Sequence, residues 1–203
     1  MDPRSIPTFV RSRSRTLGPK PALVQAVAGE DRTWTWADAW RHARTLALQL
    51  LDDGLAEGEA VLLWADDGPE ALFAEVGLQA AGAYAIRLPA ATAPGDAVAV
   101  SRASGARRML AFGVPAAALA DAGRAAGSTG PVMLPPALPA TPGQGPALDP
   151  WSDDPRLEER LSRQGPDSPG LGLLPADEPD PSRGVLLSQK NLTGIGLAVA
   201  AAL

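Results

Sequence analysis

Most of the side chains in this 203-residue chain that have the right types for chemistry lose their case on spacing. His42 is the sole histidine. A nucleophilic relay would need it beside a hydroxyl such as that of Ser188, and Ser188 does not stand on the Gly-x-Ser-x-Gly turn that exposes a serine nucleophile. His42 sits beside Arg41 and close to Thr45, off the apolar face traced by Trp36, Trp40 and Ala43, so a solvent-facing imidazole is expected. The acidic pairs Asp52 with Asp53, Asp66 with Asp67, and Asp153 with Asp154 each fall at a predicted helix boundary, where caps and turns account for them without a hard cation. No cysteine is present, which removes thiolate metal sites, disulfides and thiol nucleophiles. The five tryptophans are unusual against a single tyrosine, but Trp36 and Trp40 have core spacing, and Trp64 and Trp151 read as core or interface packing rather than pocket edges.

Around these groups the chain has the make-up of one globular domain with an appended tail. Its hydrophobic content of 45% is enough for a core, and 21 Pro with 21 Gly imply several long loops. A net charge of -5 argues against non-specific binding to nucleic acid, which depends on clustered Lys and Arg. The exception is the start, where Arg4, Arg11, Arg13, Arg15 and Lys20 mix with Ser5, Ser12 and Ser14. That mixture suits a transit peptide or a short surface helix or arm, and the lack of an apolar cleavage-type region favours the helix or arm. No apolar run approaches the ~20 residues that span a bilayer, and a soluble, cytoplasmic protein is expected.

The elements that must position any site follow from periodicity. Residues 22–28 and 33–35, separated by Gly29, Glu30 and Asp31, predict a small hairpin. Thr35 with Asp38 forms a capping-box pattern, and apolar residues from Trp36 to Leu51 recur every three or four positions, so residues 36–53 are predicted helical with Gly54 as the left-handed stop. Residues 60–64 form an unbroken apolar run, as in a parallel strand covered on both faces. A second helix follows over 69–80, with Asp67 as its cap, Pro69 in its first turn and Leu72, Phe73, Val76 and Ala80 as its buried face. Strands are predicted at 83–88, 107–112 and 132–134, with helix-compatible segments between them, which implies a layered α/β fold with right-handed crossovers. Residues 135–150 hold six Pro and two Gly and read as a linker or loop. Beyond it come a short surface helix within 153–163 and short strands at 171–174 and 185–187. The division is therefore an α/β part over 1–134, the linker over 135–150, and a final segment over 151–203.

The order of features from Thr33 to Pro89 resembles the opening of the adenylate-forming enzymes, the superfamily of acyl-CoA synthetases, fatty acyl-AMP ligases and peptide-synthetase adenylation domains. Thr33-Trp34-Thr35-Trp36 stands where that family has a Thr-Tyr pair before its first long helix. Gly54, Gly58 and Glu59 match its Gly-x-x-x-Gly-acidic turn, and Ala81-Gly82-Ala83-Tyr84 with Pro89 its Ala-Gly-Ala segment and closing proline. The run Arg183-Gly184-Val185-Leu186-Leu187-Ser188-Gln189-Lys190-Asn191-Leu192 resembles the family's Lys-Gly-Val-x-Leu-(Thr/Ser)-His-x-Asn-Leu. The resemblance implies a mostly parallel sheet flanked by helices, as in the family's N-terminal subdomain, activation of a carboxylic acid as its acyl-adenylate, and ATP with Mg as cofactors.

In the family that run follows a Thr-Ser-Gly-Thr-Thr-Gly loop whose donors hold the ATP phosphates. The matching positions here are Pro175, Ala176, Asp177, Glu178, Pro179 and Asp180. The resemblance leaves Ser182, Arg183, Gly184 and Ser188 as the remnant of a phosphate site, with Gln189 where the family has histidine. The prolines offer no N–H and cannot take the positive φ that a glycine nest uses. Three carboxylates stand where anionic oxygens would sit, and Arg183 is one cation against them. A chain that stops at Leu203 would lack the family's adenine loop, acyl pocket, hinge and smaller domain. Two readings follow: a truncated or degenerate acid ligase that is not catalytic alone, and a non-catalytic scaffold module or half of a split enzyme. In the second, a protein partner or the missing C-terminal half covers the apolar stretch 195–203, which opens on Ile195 and ends on Leu203.

Overall fold

Two hydroxyl caps set the first two helices. Ser5 accepts from the Thr8 backbone N–H while the Thr8 hydroxyl accepts from the Ser5 N–H, starting α1 (Ile6–Leu17). Thr35 and Asp38 exchange the same pair of bonds at the start of α2 (Trp36–Asp52). Each box satisfies donors that a helix start leaves unpaired. The computed structural model describes residues 5–127, 131–134, 154–174 and 184–202. Between the two helices lies the hairpin β1 (Pro21–Val27) and β2 (Glu30–Thr35). After α2, Gly54 turns the chain at φ +73° into β3 (Ala60–Ala65). Then follow α3 (Pro69–Ala80), β4 (Tyr84–Leu88), α4 (Pro94–Ser104), β5 (Arg108–Phe112), α5 (Ala116–Ala126), β6 (Val132–Leu134), α6 (Pro155–Arg163), β7 (Pro169–Leu173), β8 (Val185–Ser188) and α7 (Gln189–Ala202).

The main sheet has the order β6-β5-β3-β4-β7-β8, with β8 alone antiparallel to its neighbour. All six residues of β3 are buried at its centre, as the unbroken apolar run predicts. Alternation divides the core in two. Val61, Leu63 and Ala85 face a layer that includes α2, α3 and α6, while Leu62, Trp64, Ile86 and Met109 face α4 and α5. The mostly parallel sheet between helical layers is thus the expected α/β fold. The linker predicted at 135–150 and Trp151 lie outside the described residues.

Three expectations are corrected. His42 is fully buried rather than solvent-facing, because α2 is covered on more than one side and its ring stacks on Phe73 of α3, with ring centroids 5.3 Å apart. Leu72 is 44% exposed rather than part of the buried face of α3, which turns Phe73, Ala74, Val76 and Leu78 inward instead. Asp67 does not cap α3; Gly68 holds the cap position without a side-chain bond, and the Asp67 carboxylate accepts from Arg87.

Candidate functional site

In a sheet of this kind the place for a ligand is the crevice at the carboxyl ends of adjacent strands whose outgoing connections leave to opposite faces. The strand order reverses between β3 and β5, and β4 lies on the other side of β3 from that point. The helix that follows β3, α3, packs on one face, and the helix that follows β4, α4, packs on the other. A cavity of about 330 Å³ opens beside the reversal point, at the carboxyl ends of β3, β4 and β7. Its walls are Ala65, Asp66 and Asp67 leaving β3, Leu88 and Pro89 leaving β4, Leu171, Leu173 and Leu174 of the β7 region, and the side chains of Glu75 and Arg87.

Arg87 is the centre of the polar part. Its Nη1 donates to Glu75 Oε1 at 2.8 Å and its Nη2 to Asp67 Oδ1 at 2.6 Å. Asp66 Oδ1 accepts from the Ala90 N–H at 3.0 Å, tying the exits of β3 and β4 together. Burial pushes the Glu75 carboxyl above its ordinary value, and the Arg87 guanidinium partly offsets that. Two of the five guanidinium N–H donors serve Glu75 and Asp67, and one cation stands against the three carboxylates Asp66, Asp67 and Glu75. That suits hydrogen-bond donors and cations. It does not fit a triphosphate, which needs converging donors and positive potential.

A smaller hollow of about 140 Å³ lies on the α4 side, lined by Tyr84, Ile86, Val100, Ser104, Gly172, Leu174, Gly184, Val185 and Leu186, among others. Leu173 and Leu174 touch both hollows. Because Leu173 pairs with Val185, the chain that joins β7 to β8 leaves and returns at this carboxyl end of the sheet. Residues 175–183 of that connection, with Ser182 and Arg183 among them, lie outside the described residues.

The other two sequence-predicted site residues are not brought together. Gly184 is exposed and lines the smaller hollow. Ser188 is at the opposite end of β8, roughly 13 Å away at ~3.3 Å per strand residue. There its hydroxyl donates to Asn191 Oδ1 at 2.9 Å and accepts from the Asn191 N–H at 3.3 Å, a cap at the start of α7. Gln189 is buried and structural in its contacts: its Oε1 accepts from the Ile6 N–H at 2.8 Å and its Nε2 donates to Gln79 Oε1 at 3.0 Å. Sequence reasoning passed over Arg87 and Glu75. The available signal was a charge inside the apolar strand, since an arginine in such a run needs a buried partner.

Among the described residues no group of three or more His, Asp or Glu side chains is arranged to hold a metal ion. No helix among them is long and apolar enough to cross a membrane. Residues 10–181 match the family model described as AMP-binding enzyme. No curated protein matches the chain in sequence. Among solved structures it is similar to NpsA-ThdA from Klebsiella oxytoca, an artificially fused adenylation-PCP di-domain NRPS, at a TM-score of 0.62 and 16% identity over 97% of this chain and 32% of that one. It is also similar to the NpsA N-terminal subdomain from Klebsiella oxytoca in complex with anthranilyl-AMSN, at a TM-score of 0.63 and 16% identity over 95% of this chain and 43% of that one. A third likeness is to VinN, at a TM-score of 0.69 and 13% identity over 98% of this chain and 50% of that one. At these identities the likeness is one of fold, and the chain spans between 32% and 50% of the length of these three.

Proposed function

The chain belongs to the AMP-binding enzyme family, and from that membership we propose a degenerate acid ligase that keeps the adenylate-forming fold without binding ATP or turning over alone. One observation carries this reading: the carboxyl end of the sheet meets a ligand with three carboxylates against one cation. Asp66, Asp67 and Glu75 surround an Arg87 already committed to two of them. The connecting sequence adds Asp177, Glu178 and Asp180 and three prolines that have no N–H. ATP with Mg is the family's expected ligand, and the residues present do not fit it; no catalytic step is assigned. We place the protein in the cytoplasm as part of the same reading.

Calorimetry with ATP–Mg tests it. The expected dissociation constant is on the order of millimolar or weaker, which corresponds to about 4 kcal/mol of binding. Micromolar binding that disappears in Arg183→Ala would sink the proposal. Replacing residues 175–180 by Thr-Ser-Gly-Thr-Thr-Gly should restore nucleotide binding if the loop alone is at fault.

A second reading is favoured by the apolar surface along β8. Val185 and Leu186 are 54% and 52% exposed, and Ile195 of α7 is 56% exposed. In that reading the chain is one half of a split adenylating enzyme or a scaffold module, and a protein partner or further adenylation-type sequence covers this face. The observation that would separate the readings is pyrophosphate release from ATP and a mixed pool of acids after co-expression with a neighbouring frame that encodes the remaining half. Release only in the co-expressed pair supports the split enzyme.

A further inference from the structure

His42 has no exposed surface, and neither of its ring nitrogens has a hydrogen-bond partner. Its ring lies flat against Phe73, at 17° between planes and 5.3 Å between centroids. The helices on either side cannot give way easily. A Cβ placed on Gly77 of α3 would come within 2.8 Å of the carbonyl oxygen of Ala43, the residue after His42. The imidazole is thus enclosed on a seam where α2 and α3 are in close contact one residue away. Phe73 in turn meets Trp34 of β2 edge-on at 6.5 Å, and the Trp34 indole N–H is also buried without a partner. A neutral imidazole in such a place leaves one N–H and one acceptor nitrogen unpaired, and an imidazolium would put two unpaired donors and a charge into the same apolar seam.

We infer that His42 is a proton-operated latch on the α2–α3 seam: neutral, it lets the seam close, and protonated, it opens it. Among the described residues the charges that act on it are Asp38, one turn earlier on α2, and Arg41, beside it. The facing elements present Phe73 and Trp34, which carry no charge. Burial holds the imidazole below its ordinary value of 6.5; Asp38 partly offsets this, and Arg41 adds to it. Asp38 is a poor rescuer, since its carboxylate already accepts from Thr35 and Arg41. The folded-state value lies below the unfolded one. The closed seam is thus fully favoured above about pH 6.5 and loses ground as pH falls toward the folded value. Opening would also loosen α3, which carries Glu75, a wall of the crevice, two residues beyond Phe73.

The chain holds one histidine, so its ring resonances can be followed by NMR without assignment by mutation. The folded protein should show a ring that titrates below pH 6.5, together with faster amide exchange in α2 and α3 at pH 5.5 than at pH 7 once the intrinsic pH dependence of exchange is removed. A ring that titrates at or above pH 6.5 in the folded state would overturn the latch. Thermal unfolding provides the second measurement, as the difference between the native chain and His42→Phe from pH 7 to pH 5. Glu75 titrates with the opposite sign, its raised value favouring the folded state on acidification, and it cancels in that difference. The native chain should lose Tm relative to the variant, by roughly 3–5 °C for each tenfold loss in the folding constant in a chain of this size. Parallel profiles would overturn the proposal, and if His42→Phe does not fold, His42→Gln serves in its place.

Discussion

Gln189 joins four parts of the molecule through its side-chain amide and its backbone N–H. It stands at the first position of α7, accepts from the Ile6 N–H at the start of α1, donates to Gln79 on α3, and its own backbone N–H donates to the Ser168 carbonyl at 2.9 Å before β7. Gln79 continues the chain of bonds by donating to the Gly170 carbonyl at 3.1 Å, and Gln164 donates to the Gln79 carbonyl. A buried network of this kind stabilises through the bonds it completes, and here Gln164 Oε1 is buried without a partner while Gln79 and Gln189 are paired. Gln189→Ala should therefore lower stability by roughly 2–4 kcal/mol in urea unfolding, because it leaves an N–H and an amide oxygen buried and unpaired. Gln189→Glu should not rescue the loss, since the bond kept from Ile6 is offset by a carboxylate buried against the Gln79 oxygen; equal stability of all three chains would show that the network has no energetic role. None of this is legible in the sequence. Gln189 stands out there only as a departure from a family histidine, and its partners lie 183 and 110 positions away. His42 misleads for a related reason: an apolar face drawn from Trp36, Trp40 and Ala43 assumes a helix covered on one side.

Capping chemistry starts α2 and a left-handed glycine ends it, which is why α2 and β3 can be placed from sequence to within a residue or so. Thr35 with Asp38 and Gly54 at φ +73° are local signals and need no tertiary information. The orientation of α3 is another matter. Its sequence is apolar on nearly every side, so periodicity offers no polar face to exclude and does not separate the exposed Leu72 from the buried Ala74 and Leu78. What orients α3 is the close approach at Gly77, where α2 comes near enough that a side chain would meet the Ala43 carbonyl and Leu46. Gly77→Ala gains helix propensity, worth up to about 1 kcal/mol. It must also push two backbones apart, which costs typically ~1–3 kcal/mol. The net expectation is destabilisation, read as a lower denaturant midpoint with an unchanged slope, and a more stable variant would show that the helices have room to spare.

At the scale of the whole molecule, described residues on both sides of the stretch 135–150 contribute to one core. Leu157 and Leu161 of α6 are buried in the same cluster as Leu46, Leu50 and Val76, and β7 pairs with β4 in the main sheet. Ion pairs cross the same boundary, Arg11 with Glu158 at 2.5 Å, Arg156 with Asp52 at 2.7 Å and Arg163 with Glu57 at 3.1 Å. The last two pairs are largely exposed and contribute little individually. The buried leucines decide the energetics. Truncating one of them should cost about 2–5 kcal/mol. The three-part division drawn from the proline-rich stretch does not say whether the last part unfolds with the first, and Leu161→Ala asks that directly. We predict a single cooperative transition, with amide exchange in α2 and α3 accelerating along with that in α6, because the cavity opens in a layer that all three share. The measurement is hydrogen exchange read by segment in the native chain and the variant. Acceleration confined to α6 and its flanks, with α2 and α3 as protected as before, would mean that the part beyond residue 150 is an energetically separate unit docked onto the first.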